Sequence, residues 1–135
     1  GLPPQEFLET FDWFITNLMH GVNGMMFNNL PGLTMTSYER VRWYIFGMGS
    51  DFDIHTVHLH GQTFLDRGLH RADVTVVFPG IASVVDMIPD SPGLWLSHCH
   101  VNAHVSTGMM ALFEVLPTSS GYSTARNLAT TAELF

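Results

Sequence analysis

From Met25 to Leu116 the chain is written in short apolar runs, each cut off by Gly or Pro at intervals of roughly ten residues. No other feature narrows the fold as much. Val41 to Gly47, Thr56 to His60, Val74 to Phe78, Ser83 to Ile88, Leu94 to His100 and Met109 to Leu116 are strand candidates, rich in β-branched and aromatic side chains. Runs too short for helices bury their apolar faces by packing sheet on sheet, so the pattern predicts an all-β antiparallel sandwich or barrel. Ahead of it, residues 4–18 place Phe7, Leu8, Phe11, Phe14, Ile15 and Leu18 at helical spacing behind Pro3 and Pro4. This predicts a short helical or irregular connector over 1–18, with the domain proper over 19–117. The closing residues are small and polar and predict a loosely held tail over 118–135.

A chain of 135 residues has room for one core but not comfortably two. With 46% hydrophobic and 13% charged residues it is expected to fold. Five basic residues against twelve acidic ones give a net charge of −7. No patch able to neutralise phosphates can be built from that balance, which excludes nucleic acid as a partner and suits cations. No apolar run reaches membrane-spanning length. The opening GLPPQEF reads as a domain cut from a longer chain, so the lack of a leader sequence does not bear on secretion. The single Cys99 excludes an internal disulfide, and it stands between two histidines.

Six of the eight histidines fall in two clusters: His55, His58 and His60 in HTVHLHG, then His98, His100 and His104 in HCHVNAHVSTGM, which also holds Cys99 and Met109. Side chains alternate across a strand with period two. His58 and His60 therefore share one face and His55 tends to the other, while His98 and His100 share a face opposite to Cys99. Two donor sets result. One is Cys99, His55, His104 and Met109; the other is His58, His60, His98 and His100. A thiolate, two imidazoles and a thioether are the donors of a blue-copper electron-transfer site. His104 and Met109 lie on the loop after Cys99, and Gly108 lets that loop turn closely. Four imidazoles alone suit copper or zinc. The decisive feature is that His98 and His100 flank Cys99, giving an electron a covalent path from one set to the other. Zinc hydrolysis has no use for that path, and neither Asp53 nor Asp66 stands at HxHxD spacing.

A lone histidine is most often a hydrogen-bonded core or surface residue, and a lone buried cysteine an inert small hydrophobe. Two clusters compatible with strand geometry are not explained that way. His70, beside Arg71, reads as an exposed loop residue. Met25, Met26, Met48, Met87 and Met110 read as core fillers, and Trp43 and Trp95 as core.

HTVHLHG followed by GLWLSHCHVNAHVSTGM resembles the paired copper motifs of the multicopper oxidases. With MHGVNGMMFNNLPGLTM and VRWYIFGMGSDFDIHTVHLHG, the stretch from Met19 to Leu116 is similar to the last domain of the ceruloplasmin and hephaestin group. The resemblance implies a Greek-key cupredoxin barrel and oxidation of a small reducing substrate in single-electron steps, coupled to reduction of O2 to water. It implies a type 1 copper on His55, Cys99, His104 and Met109, complete in this chain. His58 matches a type 2 ligand and His60, His98 and His100 match type 3 ligands, with Cys99, His98 and His100 carrying the electrons. The rest of the trinuclear copper cluster would come from an N-terminal cupredoxin domain, in the same chain or in a neighbouring subunit as in two-domain laccases. The resemblance also implies an extracellular, secreted setting.

Ceruloplasmin-like ferroxidases bind iron beside the type 1 copper through carboxylates at positions that here are Ile15 and Ala103, although the histidine at His20 is kept. Glu6 and Glu9 lie nearby in the poorly matching stretch before His20. Loss of oxygen donors argues against iron as the reductant. Two competing functions are a stand-alone blue-copper electron carrier, which has no use for a second imidazole set, and a structural cupredoxin domain, which would not need to keep both sets.

Overall fold

A computed structural model describes residues 4–8, 10–49, 53–118 and 130–134. Two short helices, α1 (Gln5–Leu8) and α2 (Phe11–Asn17), lead into a two-sheet sandwich. Among the described residues ten strands follow: β1 (Thr34–Thr36), β2 (Val41–Phe46), β3 (His55–Leu59), β4 (Phe64–Asp66), β5 (His70–Ala72), β6 (Val74–Val77), β7 (Ala82–Met87), β8 (Gly93–Cys99), β9 (Met110–Leu116) and β10 (Thr130–Leu134). A single-turn helix, α3 (Asn102–Ser106), sits between β8 and β9. One sheet has the order β1-β9-β8-β3-β6 and the other β10-β2-β7-β4-β5. The architecture is the all-β sandwich expected from the strand pattern, with the Greek-key form that the resemblance implies.

Alternation drives the packing. In β2, Val41, Trp43 and Ile45 are buried while Arg42, Tyr44 and Phe46 face out, so each strand contributes one apolar face to the core. Trp43 meets Phe113 edge to face, with ring centroids 5.8 Å apart, and its indole N–H reaches the Met87 sulfur at 3.1 Å. Each fully buried side chain of this size stabilises by roughly 1.5–3 kcal/mol over its exposed state.

The six long strand candidates are all present, but four strands and one helix escape the sequence reading. β1, β4 and β5 are three residues each, too short for period two to register. Where a loose tail was expected, Thr130–Leu134 runs parallel to β2 as a strand. His70 is exposed, as expected, but it lies in β5 rather than in a loop. Met87 is buried, whereas Met25 and Met48 are exposed rather than core fillers, because neither lies on the inner face of a sheet strand: Met25 pairs with Val22 in an isolated bridge and Met48 follows the end of β2. Trp95 is half-buried and packs on the core edge.

Candidate metal centre

The register of two strands assembles the site. Antiparallel β3 and β8 pair Val57 with Cys99, His58 with His98 and Leu59 with Ser97. The inward face of β3 carries His55, Val57 and Leu59, and the inward face of β8 carries Ser97 and Cys99. His58 and His98 therefore stand side by side on the outer face, while His55 and Cys99 turn into the sandwich. The division into two donor sets follows the alternation read from the sequence.

The inner set is closed by α3 and the turn after it. His104 is buried on α3, not on an open loop. Its carbonyl accepts the Met109 N–H at 3.0 Å, and the Met109 carbonyl accepts the Cys99 N–H at 3.0 Å, which fastens the buried Met109 beside the cysteine. Gly108 makes the turn with φ +111, and a Cβ there would stand 2.9 Å from Met26 Cβ and 3.0 Å from the Phe27 ring. The strap over 20–29 lies across this turn through Phe27 N–H to Gly108 O at 2.9 Å and Asn28 N–H to Met110 O at 3.2 Å.

Cys99 Sγ lies 3.5 Å from His104 Nδ1 and 3.9 Å from His55 Nδ1, and the two Nδ1 atoms are 3.2 Å apart. All three residues are buried. Burial opposes ionisation of the Cys99 thiol, but the hydrogen bond with His55 and the backbone N–H groups of Thr56 and Val101 outweigh it, so the thiol is held below its ordinary value. The same contact with Cys99 raises the His55 imidazole against the effect of its burial. Burial lowers His104, helped by the neighbouring His20 and His55. The outer nitrogens are spoken for as well. His55 Nε2 donates to the Met48 carbonyl at 3.0 Å, and His104 Nε2 lies 3.7 Å from the Asp53 carboxylate.

On the outer face, His58, His60 and His98 bring one ligand atom each within 4.8 Å of the others. His98 Nε2 and His60 Nε2 face each other at 3.0 Å. The far nitrogens donate backwards, His98 Nδ1 to the Cys99 carbonyl at 2.8 Å and His58 Nδ1 to the Asp73 carbonyl at 2.9 Å. This leaves Nε2 of each of these two rings as the lone-pair nitrogen, that of His98 turned to His60. Burial and three neighbouring imidazoles lower His60, which favours its neutral form. His100 is more peripheral: it is exposed, and its ring lies 5.3 Å from that of His98 and 5.7 Å from that of His58, outside the tight triad.

The donor chemistry fits copper in both places. The inner set couples a thiol held below its ordinary value with two imidazoles whose outer nitrogens face a carbonyl and a carboxylate; the outer set is purely imidazole and half-buried. A third grouping missed from the sequence is His20, Asp53 and His104, whose ligand atoms also lie within 4.8 Å. The His20 ring stacks on His104 at 4.1 Å. The signal for Asp53 was present: standing two residues before His55, it shares that residue's side of the chain.

A family model described as multicopper oxidase matches residues 5–119. The chain is 48% identical over 115 residues to ceruloplasmin of Mus musculus, covering 84% of this chain and 10% of that protein. It is 50% identical over 111 residues to hephaestin of Rattus norvegicus, covering 81% of this chain and 10% of that protein. The chain thus spans about a tenth of the length of these curated relatives. Among solved structures, a multi-copper oxidase from Pediococcus acidilactici superposes with a TM-score of 0.65 at 19% identity, over 78% of this chain and 28% of that one, a likeness of fold.

Proposed function

Because this chain belongs to the multicopper oxidase family, we propose that it is a copper-dependent oxidase domain in which His55, Cys99, His104 and Met109 hold a type 1 copper. His58 is the type 2 ligand, and His60, His98 and His100 are type 3 ligands, of a trinuclear cluster shared with another cupredoxin domain in the same chain or a neighbouring subunit. When bound, these ions supply single-electron oxidation of a reducing substrate and reduction of O2 to water.

The chain's own residues prepare that chemistry. The Thr56 N–H, 3.4 Å from Cys99 Sγ, supports the thiolate. Burial of Cys99, His55, His104 and Met109 excludes water from the inner set, so little surrounding structure has to reorganise when charge changes there. His98 Nδ1 is held on the Cys99 carbonyl, which turns Nε2 of the same ring to the outer cluster.

The observation that carries the reading is the pairing of a buried thiolate set and an outer imidazole set on the two faces of one strand, joined by the peptide between His98 and Cys99. A carrier with a single blue copper gives no role to the outer set. Small reductants such as phenols or aromatic amines fit better than iron, since Ala103 offers no side-chain donor. The secreted setting of the ceruloplasmin group is adopted for this chain on the same grounds. Cys99→Ser tests the reading directly. It is expected to abolish the intense visible thiolate-to-copper absorption of the copper-loaded protein, and survival of the blue colour would refute the assignment.

A further inference from the structure

The two imidazoles of the inner set are oriented alike. Each turns Nδ1 toward Cys99 and Nε2 away from it, to an acceptor at the rim of the sandwich. The acceptors differ in kind. His55 Nε2 meets the neutral carbonyl of Met48 at 3.0 Å, whereas His104 Nε2 faces Oδ1 of Asp53, a full negative charge, at 3.7 Å. That distance is longer than a direct hydrogen bond, so the contact is one of charge with ring orientation.

Gly49 lies at the corner where both acceptors stand. Gly49 has φ +146, and a Cβ on it would stand 3.4 Å from Asp53 Cβ, 3.5 Å from Asp53 Oδ2 and 3.5 Å from His55 Nε2. The His104 ring is also pinned on one face by His20, stacked at 4.1 Å with planes 24° apart, and His20 Nδ1 donates to Thr107 Oγ1 at 2.7 Å. The Thr107 hydroxyl in turn donates to the Ala103 carbonyl at 2.8 Å. With His20 fixing the plane of the ring, the negative charge of Asp53 favours a proton on Nε2, which would leave Nδ1 for a metal.

We propose that Asp53 is a positioning residue that acts through His104, holding its Nε2 protonated and outward and lowering the reduction potential of the ion bound at the inner set. This rests on the type 1 copper reading of that set. The physical basis is that a carboxylate beside a ligand imidazole makes the ring a stronger donor, and its charge favours the more positive oxidation state of the metal. The neutral Met48 carbonyl has no comparable effect through His55. Control of the potential is thereby placed on one side chain that touches neither the metal nor the thiolate.

The test compares Asp53→Asn and Asp53→Glu with the wild type in the intact, copper-loaded protein, by redox titration of the visible absorption together with EPR. Asn keeps the shape and removes the charge; Glu keeps the charge. The expected result is that the Asn variant stays blue but with a higher potential. Its equilibrium constant for accepting one electron rises about tenfold, which for a one-electron couple is about 59 mV, and the Glu variant stays near the wild type. If the Asn variant is blue with an unchanged potential, Asp53 is only structural and the proposal is overturned. If the Asn variant does not retain copper, separate affinities decide: weakened Cu(II) binding with unchanged Cu(I) binding supports the proposal, and equal loss of both overturns it. A wild type that shows no blue band would instead overturn the functional reading on which the proposal rests.

Discussion

His98 Nδ1 donates to the carbonyl oxygen of Cys99 at 2.8 Å, although the two side chains leave β8 on opposite faces. A covalent link and a hydrogen bond therefore both run between the residue bearing the buried sulfur and an imidazole of the outer cluster. Neighbouring positions on a strand face opposite ways by necessity, and this chain uses that necessity to place two donor sets one residue apart without letting them merge. The His58 to His98 register across β3 and β8 then gathers the outer set from two strands.

Gly108 sets the turn that returns the chain from His104 to Met109. Its φ of +111 is closed to side chains at low energy, and a methyl group would collide with Met26 and the Phe27 ring. Gly108→Ala is expected to destabilise the domain by about 1–3 kcal/mol and to shift the visible absorption, since strain at that turn moves the methionine. Chemical denaturation and an absorption spectrum check both; an unchanged spectrum with unchanged stability would show that the turn relaxes freely.

Arg42 and Asp86 pair across β2 and β7 through two contacts, at 2.7 and 2.9 Å. The hydrogen bonds from Arg42 hold the Asp86 carboxyl below its ordinary value against a small effect of burial. A group depressed in the folded state contributes stability that is present above its unfolded value and is lost as pH falls through the folded one. Wild type should therefore be slightly more stable than Asp86→Asn near neutrality, and the two should converge at strongly acid pH. The pair is exposed, so the gap is small. Denaturation midpoints across the pH range check it, and a gap that widens on acidification would contradict the sign.

How much was legible follows from what period two can encode. Six of the seven described strands of four or more residues announce themselves, and with them the sorting of His55 and Cys99 from His58 and His98; the seventh, β10, is written in small and polar residues that read as a tail. The three-residue strands β1, β4 and β5 carry too little alternation to be seen. The α3 turn bearing His104 has no capping side chain at Val101 and no apolar stripe, so nothing local marks it as helical. Asp53 stands two residues before His55, so its side of the chain was legible, but its approach to His104 at 3.7 Å depends on α3 coming from a distant part of the sequence. Met48, itself exposed, matters through its carbonyl rather than its side chain, which residue type does not reveal.

Iron should be a poor reductant for this protein. Ala103 stands exposed beside His104 without a donor, and among the described residues the carboxylate grouped with His20 and His104 is that of Asp53. Hard cations call for several oxygen ligands. Steady-state oxidation of Fe(II) is expected to be slow and without saturation, while a small phenol or aromatic amine saturates. Efficient, saturable iron oxidation would show that Asp53 and His20 suffice as a site.

Copper content measured together with visible and EPR spectra on the intact protein tests the central claim most directly. The account predicts about four copper ions per functional unit, with blue type 1, type 2 and near-ultraviolet type 3 signals, one ion on the inner set and the rest on the shared cluster. A single blue copper would contradict the oxidase reading in favour of an electron carrier, and a protein that takes up no copper would contradict it in favour of a structural domain.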